Sequence, residues 1–273
     1  MRLKIHLQTT ANSIIPINYQ HSLQGLIYSA LKYGNEEFAG KLHAEGYLTE
    51  ESTNTRQNFK FFCFSGIAFR NKYLLDDKKE NFILRASQEY PSEIVFSVSS
   101  PKEDFIQHLV NGLFRQGNEV NFANNNFVVS KILTEAPPEL PEEVILKPMF
   151  SPIVMKSNKL QLFLTYEHPE IEELLINNLC SKHKLLHPEQ SQEITKENIE
   201  IKFLPSLMTE KAPKTKLITF KTQKDGKTIS IKTKGNFVPV RIKAPKQVIQ
   251  TALDCGLGEK NSSGFGFVEV MKI

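Results

Sequence analysis

The sequence has no tryptophan, only three cysteines and no long apolar run. Cys63, Cys180 and Cys255 lie far apart, and no two cysteines are spaced as CxxC. This spacing argues against a zinc ribbon or a disulfide scaffold and is typical of a reducing compartment. No apolar run approaches the roughly twenty residues that a membrane-spanning helix requires. We therefore expect a cytoplasmic protein with no membrane partner.

Standard nucleotide-binding motifs are also absent, although the segment GLGEKNSSGFGFVEV at Gly256–Val270 superficially looks like one. A GxGxxG motif that began at Gly256 would need glycine at position 261, which is Asn261. Such a motif also connects a strand to the following helix, whereas this segment connects a predicted helix to a predicted strand. A Walker-type motif at the GKT tripeptide 226–228 would need glycine at position 221, which is Lys221. Both kinds of nucleotide loop are therefore excluded.

The glycine-rich loop can instead bind a polyanion through its own groups. Glycine leaves backbone N–H donors accessible, and the residues between the glycines offer an ammonium, an amide and two hydroxyls. An ordinary glycine-rich turn is the alternative. The loop residues with which we expect a polyanion to interact are Gly256, Gly258, Lys260, Asn261, Ser262, Ser263, Gly264 and Gly266.

Positive charge is concentrated in one stretch of the chain. The formal net charge is +4, but residues 211–246 contain ten lysines and one arginine against the single acid Asp225, a local net charge of +10. A solvated surface without a polyanionic partner normally mixes both signs. The stretch therefore favours a nucleic-acid partner over a plain basic face.

Hydrophobic periodicity and turn residues predict a similar order of elements in both halves of the chain. In the first half we predict strands at Arg2–Gln8, Asn58–Phe69, Phe82–Ala86, Glu93–Val98 and Asn126–Leu133, and helices at Ser22–Tyr33, Glu36–Ala44 and Pro101–Phe114. In the second half we predict strands at Val144–Lys147, Ile153–Met155, Leu160–Leu164, Ile199–Leu204, Lys216–Thr222, Thr228–Thr233, Phe237–Ile242 and Phe265–Met271, and helices at His168–Leu185 and Pro245–Cys255. Ser100 is the expected N-cap of the helix that begins at Pro101.

With the extra elements set aside, each half reads β-α-β-β-α-β, which is the ferredoxin-like pattern. The proline-rich segment TEAPPELPEE between the halves is typical of a connector. We therefore predict an α+β fold with two tandem ferredoxin-like domains, at residues 1–135 and 136–273. No residue-level repeat supports the duplication, which depends on the pattern of elements alone.

The glycine-rich loop, placed after a helix and before a last strand, resembles the signature of the CRISPR repeat-processing endoribonucleases. These enzymes belong to a wider superfamily of CRISPR-associated RNA-binding proteins. The segment HSLQGLIYSALKYGNEEFAGKLH at 21–43 is similar to the first helix and the following segment of the same family. Some members of the superfamily bind RNA without cutting it, so a non-catalytic RNA-binding subunit is the alternative function.

The resemblance implies cleavage of CRISPR precursor RNA within the repeats, with no metal and no cofactor. The ribose 2′-hydroxyl attacks the adjacent phosphate and leaves a 2′,3′-cyclic phosphate and a 5′-hydroxyl. This reaction needs a base, an acid and a group that stabilises the extra negative charge on the phosphorane. Histidine suits proton transfer, tyrosine can donate or orient, and lysine supplies charge.

The resemblance places these groups at Tyr28, His43 and Lys60 in the first domain, with His43 as general acid or base. The position of Lys60 depends on where the family pattern is gapped, and His21 or Lys41 could substitute in the site. The family resemblance also assigns RNA binding to the second domain. Besides the loop, the candidates there are Lys232, Lys234, Arg241 and Lys243. His183 and His187 lie four residues apart, but no further ligands with suitable spacing follow, so we expect no metal site. The expected partners are CRISPR repeat RNA, other CRISPR-associated proteins and a second copy of the chain.

Overall fold

The chain folds into two compact units. The structure, a computed structural model, describes residues 1–48, 58–115, 117–190, 193–224 and 227–271. The first unit comprises Met1–Phe61 and Gly66–Ala136, and the second comprises Phe62–Ser65 and Pro137–Ile273. In the described ranges, no helix combines the length and the hydropathy needed to cross a membrane.

In the described part of its first half, the chain forms three α-helices and several short strands. Its strands are β1 (Arg2–Thr9), β2 (Ser13–Pro16), β3 (Tyr47–Leu48), β4 (Asn58–Phe59), β5 (Cys63–Phe64), β6 (Ala68–Phe69), β7 (Tyr73–Leu75), β8 (Asn81–Leu84), β9 (Ser92–Ser99), β10 (Glu119–Phe122) and β11 (Asn125–Glu135). Its helices are α1 (Gln20–Gly34), α2 (Glu36–Ala44) and α3 (Glu103–Arg115).

The main sheet of the first unit has ferredoxin-like topology. Its strands lie in the order β10-β11-β1-β9, and β6 pairs with β9. The four strands of the ferredoxin-like unit therefore follow the order β11-β1-β9-β6, with α1 after β1 and α3 after β9, as a β-α-β-β-α-β unit requires. Strands β2, β8 and β7 form a separate three-stranded sheet.

One face of this sheet supplies the core of the first unit. Burial alternates along β1, where Leu3, Ile5 and Leu7 are buried and their neighbours are partly exposed. These residues pair across β9 with further buried side chains, in the pairs Leu3–Val98, Ile5–Phe96 and Leu7–Ile94. Such alternation is expected of a sheet with one covered face.

The second half of the chain repeats the pattern with insertions. Its strands are β12 (Glu143–Pro148), β13 (Lys156–Ser157), β14 (Leu162–Phe163), β15 (Glu200–Phe203), β16 (Thr215–Lys224), β17 (Lys227–Asn236), β18 (Val240–Lys243) and β19 (Val268–Val270). Its helices are α4 (Ile171–Leu186) and α5 (Lys246–Cys255). The four-stranded sheet has the order β15-β18-β12-β19, which is again ferredoxin-like. Strands β16 and β17 form an additional antiparallel hairpin. The predicted tandem ferredoxin-like fold is confirmed.

Some predicted elements are wrong in detail. The single strand predicted at Asn58–Phe69 is three two-residue strands, and Phe61 lies within the break with a φ of 44°. The helix predicted from Pro101 begins at Glu103, and the Ser100 hydroxyl accepts from the N–H of Lys102 at 3.1 Å. The predicted strand Ile153–Met155 contributes only an isolated bridge at its first residue.

Candidate active site

Tyr28, His43 and Lys60 lie together in the first unit. The rings of Tyr28 and His43 meet edge to face, with centroids 5.3 Å apart and planes at 80°. Lys60 Nζ donates a hydrogen bond to the backbone oxygen of His43 at 2.9 Å and lies 5.4 Å from the centroid of the Tyr28 ring. A phenol, an imidazole and an ammonium therefore share one small region of the surface.

Two local features of the fold bring these residues together. Asn35 separates α1 from α2, and its side-chain oxygen accepts from the N–H of Phe38 at 3.0 Å as the N-cap of α2. Beyond α2, Gly46 adopts a φ of 59°, and the backbone enters β3, which pairs with β4. Lys60 directly follows β4, so this pairing places it beside the C-terminal end of α2.

The three side chains differ in how far they are buried. The pKa of Tyr28 is raised because its hydroxyl is buried away from water, although part of the side chain is exposed, so the phenol keeps its proton. Partial burial lowers the pKa of Lys60 below that of an ordinary lysine. The Lys60 ammonium binds a carbonyl in the last turn of α2, where a cation also interacts favourably with the helix dipole. His43 is exposed and can therefore exchange protons with a bound substrate.

The substitutes considered for this site have other environments. Lys41 Nζ pairs with Glu37 Oε1 at 2.7 Å on the exposed surface of α2, and this pair raises the pKa of Lys41. His21 is exposed near the start of α1. Of the two histidines that are four residues apart, His183 of α4 is buried, with its Nδ1 2.9 Å from Thr251 Oγ1, and His187 directly follows the helix. Over the described ranges, no group of three or more His, Cys, Asp or Glu residues could hold a metal ion.

The predicted RNA-binding cations occupy two strands of the second unit. Lys232 and Lys234 are exposed, and because they lie two residues apart in β17 they share one face of the hairpin. Arg241 and Lys243 lie in β18. A guanidinium nitrogen of Arg241 is 3.7 Å from Glu143 Oε1, and Lys243 Nζ is 3.9 Å from Glu200 Oε1. Partly exposed pairs of this kind are weak.

Most of the glycine-rich loop is interior. Gly256, Gly258, Gly264 and Gly266 are buried, and all four have positive φ. Asn261 is 9% exposed, and its Nδ2 donates to the carbonyl oxygen of Phe265 at 3.0 Å. Three of the predicted loop residues reach the surface: Lys260 is exposed, and Ser262 and Ser263 are partly exposed.

Several backbone donors of the loop bind inside the protein. The N–H of Leu257 donates to Gly266 O at 2.8 Å, that of Glu259 to Val154 O at 2.8 Å, and that of Gly266 to Pro152 O at 3.1 Å. The expectation that glycine leaves such donors accessible does not hold for these three groups. Glycine is needed here for close approach, because a Cβ on Gly258 would overlap Val154 O.

Sequence reasoning missed Lys182. This lysine of α4 is 2% exposed and bonds to the glycine-rich loop. The available signal was its place on the apolar stripe of the helix, because it continues the spacing of Ile171, Leu175 and Leu179. A charged residue on such a stripe must find polar partners in the core.

Comparison with known proteins agrees with this fold. Two family models match the chain: "CRISPR-associated protein Cas6, N-terminal" over residues 14–133 and "CRISPR associated protein Cas6, C-terminal" over residues 135–270. The chain is 27% identical over 276 residues to CRISPR-associated endoribonuclease Cas6 1 of Methanocaldococcus jannaschii. This alignment covers 98% of this chain and 92% of that protein.

Solved structures are similar over the whole chain. A structure of a "CRISPR associated protein Cas6" superposes with a TM-score of 0.68 and 25% identity, covering 100% of this chain and 99% of that one. A structure described as "An RAMP protein binding different RNA substrates" superposes with a TM-score of 0.68 and 21% identity, covering both chains completely. The two family models lie one on each half of the sequence. This chain belongs to the Cas6 family of CRISPR-associated proteins.

Proposed function

We propose that this protein is a metal-independent endoribonuclease that cleaves CRISPR precursor RNA within the repeats. The observation that carries the proposal is that Tyr28 of α1, His43 of α2 and Lys60, which follows β4, lie together. Membership of the Cas6 family and the likeness to an endoribonuclease of that family support it. The three groups are those that RNA cleavage through the 2′-hydroxyl needs.

In the proposed reaction, the 2′-oxygen forms a bond to the adjacent phosphorus and the bond from phosphorus to the 5′-oxygen breaks. One proton leaves the 2′-hydroxyl for a base, and one reaches the departing 5′-oxygen from an acid. The products are a 2′,3′-cyclic phosphate and a 5′-hydroxyl. His43 acts as one partner in these proton transfers, because its imidazole is the exposed titratable group of the cluster.

The other two residues act on the charge of the phosphorane. Lys60 supplies a cation, and an ammonium has three N–H donors, of which one binds the carbonyl oxygen of His43. Tyr28 keeps its proton because burial raises its pKa, so it donates a hydrogen bond or orients the imidazole that its ring contacts. Preorganised donors of this kind stabilise developing negative charge.

RNA binding is assigned to cationic and hydroxyl groups on the surface of the second unit. The proposed contacts are Lys232, Lys234, Arg241, Lys243, Lys260, Ser262 and Ser263. The buried glycines and Asn261 act indirectly, since they give the loop its shape. Salt-dependent contacts with phosphates would position the repeat without reading its sequence.

The proposal is tested with the repeat RNA from the genome that encodes this chain. Labelled RNA is incubated with the protein in EDTA, beside an RNA with a 2′-deoxy nucleotide at the scissile position. We expect cleavage in EDTA, a cyclic phosphate end and no cleavage of the deoxy substrate. A requirement for metal, or cleavage of the deoxy substrate, would contradict the mechanism. Tight binding without any cleavage would instead identify a non-catalytic RNA-binding subunit.

A further inference from the structure

A buried lysine bonds to the glycine-rich loop from the neighbouring helix. Lys182 Nζ donates to Gly256 O at 2.8 Å, to Gly258 O at 2.6 Å and to Asn261 Oδ1 at 2.6 Å. All three acceptors are uncharged groups of the loop. Burying an ammonium is unfavourable unless hydrogen bonds compensate for the lost water. The loop supplies such bonds, so the lysine and the loop stabilise each other.

The three acceptors fix the path of the chain between them. The backbone carbonyls of Gly256 and Gly258 point inward to the ammonium, and both residues have positive φ, at 81° and 77°. Asn261 then extends the network, because its Nδ2 donates to the carbonyl oxygen of Phe265. One lysine therefore connects α4 to both the first half and the middle of the loop.

The surface residues of the loop lie inside or beside this network. In the sequence, Lys260 lies between Gly258 and Asn261, and both of these residues accept a hydrogen bond from Lys182. It adopts a left-handed conformation with a φ of 57°, and its Nζ lies 5.6 Å from the centroid of the Phe163 ring. Ser262 and Ser263 form the short 3-10 turn that begins at Asn261. Their positions thus depend on where Lys182 holds Asn261.

We propose that Lys182 is a positioning residue for RNA binding. It holds the glycine-rich loop in the shape that presents Lys260, Ser262 and Ser263 to the RNA backbone, and it does not touch the RNA. This inference depends on the proposed function, because it assigns a cause to the shape of the proposed binding surface. The environment of the lysine agrees with it: burial lowers its pKa to about 8, while Cys255, Cys63 and Glu259 act in the opposite direction.

The test compares two variants of α4 that each remove one positive charge. Lys182→Met keeps an unbranched apolar side chain, one atom shorter than that of lysine, but removes the donors to the loop. Lys184→Met is the matched control, since Lys184 is on the same helix and partly exposed. Affinity for the host repeat RNA, single-turnover cleavage at saturating enzyme and thermal unfolding are measured for both variants.

We expect Lys182→Met to weaken RNA binding at least tenfold while its saturating cleavage rate stays within about threefold of wild type. Lys184→Met should bind RNA within about twofold of wild type. A merely structural role would lower stability and cleavage together and leave no separate effect on affinity. A folded Lys182→Met protein with wild-type affinity would overturn the inference. Lys182→Gln, which retains N–H donors without a charge, should restore part of the affinity.

A measurement on the wild-type protein covers the outcome in which neither variant folds. With ¹⁵N at lysine Nζ, we expect one ammonium signal that exchanges slowly with solvent, as a buried and hydrogen-bonded lysine should. Addition of repeat RNA should shift this signal, and a signal that RNA leaves unchanged would contradict the inference. Wild-type protein that neither binds nor cleaves the RNA would instead reject the proposed function itself.

Discussion

Each residue of the proposed catalytic cluster, Tyr28, His43 and Lys60, has its own environment. Tyr28 keeps its proton because it is partly buried, Lys60 loses its proton more easily than an ordinary lysine, and His43 is open to solvent. These states suit a donor, a cation and a proton-transfer group. Single substitutions that change one property at a time can therefore separate the three roles.

The hydroxyl of Tyr28 can be removed while its ring stays. In Tyr28→Phe the edge-to-face contact with His43 is retained, so we expect RNA affinity to stay within about twofold. The cleavage rate should fall by about 10- to 100-fold. This loss is no larger than the roughly 100- to 10,000-fold loss expected for a proton-transfer group, because Tyr28 only donates a hydrogen bond or orients His43. Tyr33→Phe, on the exposed side of the same helix, is the control and should cleave at the wild-type rate. Full activity in Tyr28→Phe would remove the hydroxyl from the mechanism.

The lowered pKa of Lys60 predicts a pH effect on cleavage. Because burial favours the neutral amine, the ammonium is lost at a lower pH than in an ordinary lysine. The rate should therefore decline on the alkaline side before an unperturbed lysine would titrate. Arginine stays charged over this range, so Lys60→Arg should show a weaker alkaline decline even if its rate is lower. Identical alkaline profiles for the two proteins would contradict a catalytic charge at Lys60.

At the scale of elements, the glycine-rich loop acts as a packed part of the second unit. Its glycines are buried, and both α4 and the backbone near Val154 bind it. The loop is thus closer to a core element with three surface residues than to an open anion-binding loop. Its sequence is constrained by close approach as well as by any ligand.

Gly258 provides the test of this packing. An alanine there would strain a residue at φ 77° and bring its Cβ against Val154 O. We expect Gly258→Ala to lower the free energy of unfolding by at least about 2 kcal/mol. Gly25→Ala is the control, because a Cβ at that position of α1 meets no atom within 4 Å. It should leave stability unchanged or raise it by up to about 1 kcal/mol. Equal stability of the two variants would argue against a packed loop.

The sequence predicted the elements of the fold better than their junctions. Helix α2 has the predicted bounds, and the other helices begin or end within about three residues of prediction, because periodicity and caps are local signals. The prediction around Phe61 was wrong because this residue has a positive φ, which bulky residues rarely adopt and which the sequence pattern does not indicate. The cluster of Tyr28, His43 and Lys60 came from a family resemblance, and only the fold shows that these residues meet. Lys182 was missed because its partners, two backbone oxygens and the side-chain oxygen of Asn261, lie more than 70 residues away in the sequence.

For the whole molecule, the uneven charge predicts the salt dependence of RNA binding. Each phosphate contact releases counterions and steepens the fall of affinity with salt. Lys232→Ala with Lys234→Ala should therefore reduce the slope of log affinity against log salt by about one to two. Lys78→Ala with Lys79→Ala removes the same charge from an exposed turn of the first unit and should leave the slope unchanged. Equal slopes for both double variants would exclude the hairpin from the RNA interface.

The most direct test of the account is single-turnover cleavage by His43→Ala in EDTA. The enzyme is present at a saturating concentration and in excess over the host repeat RNA. RNA binding is measured in parallel. Loss of proton transfer should slow cleavage at least about 100-fold, while the dissociation constant changes less than about threefold. The control is His21→Ala, which changes an exposed histidine in the first turn of α1 and should cleave at the wild-type rate. Cleavage by His43→Ala at the wild-type rate would contradict the proposed active site.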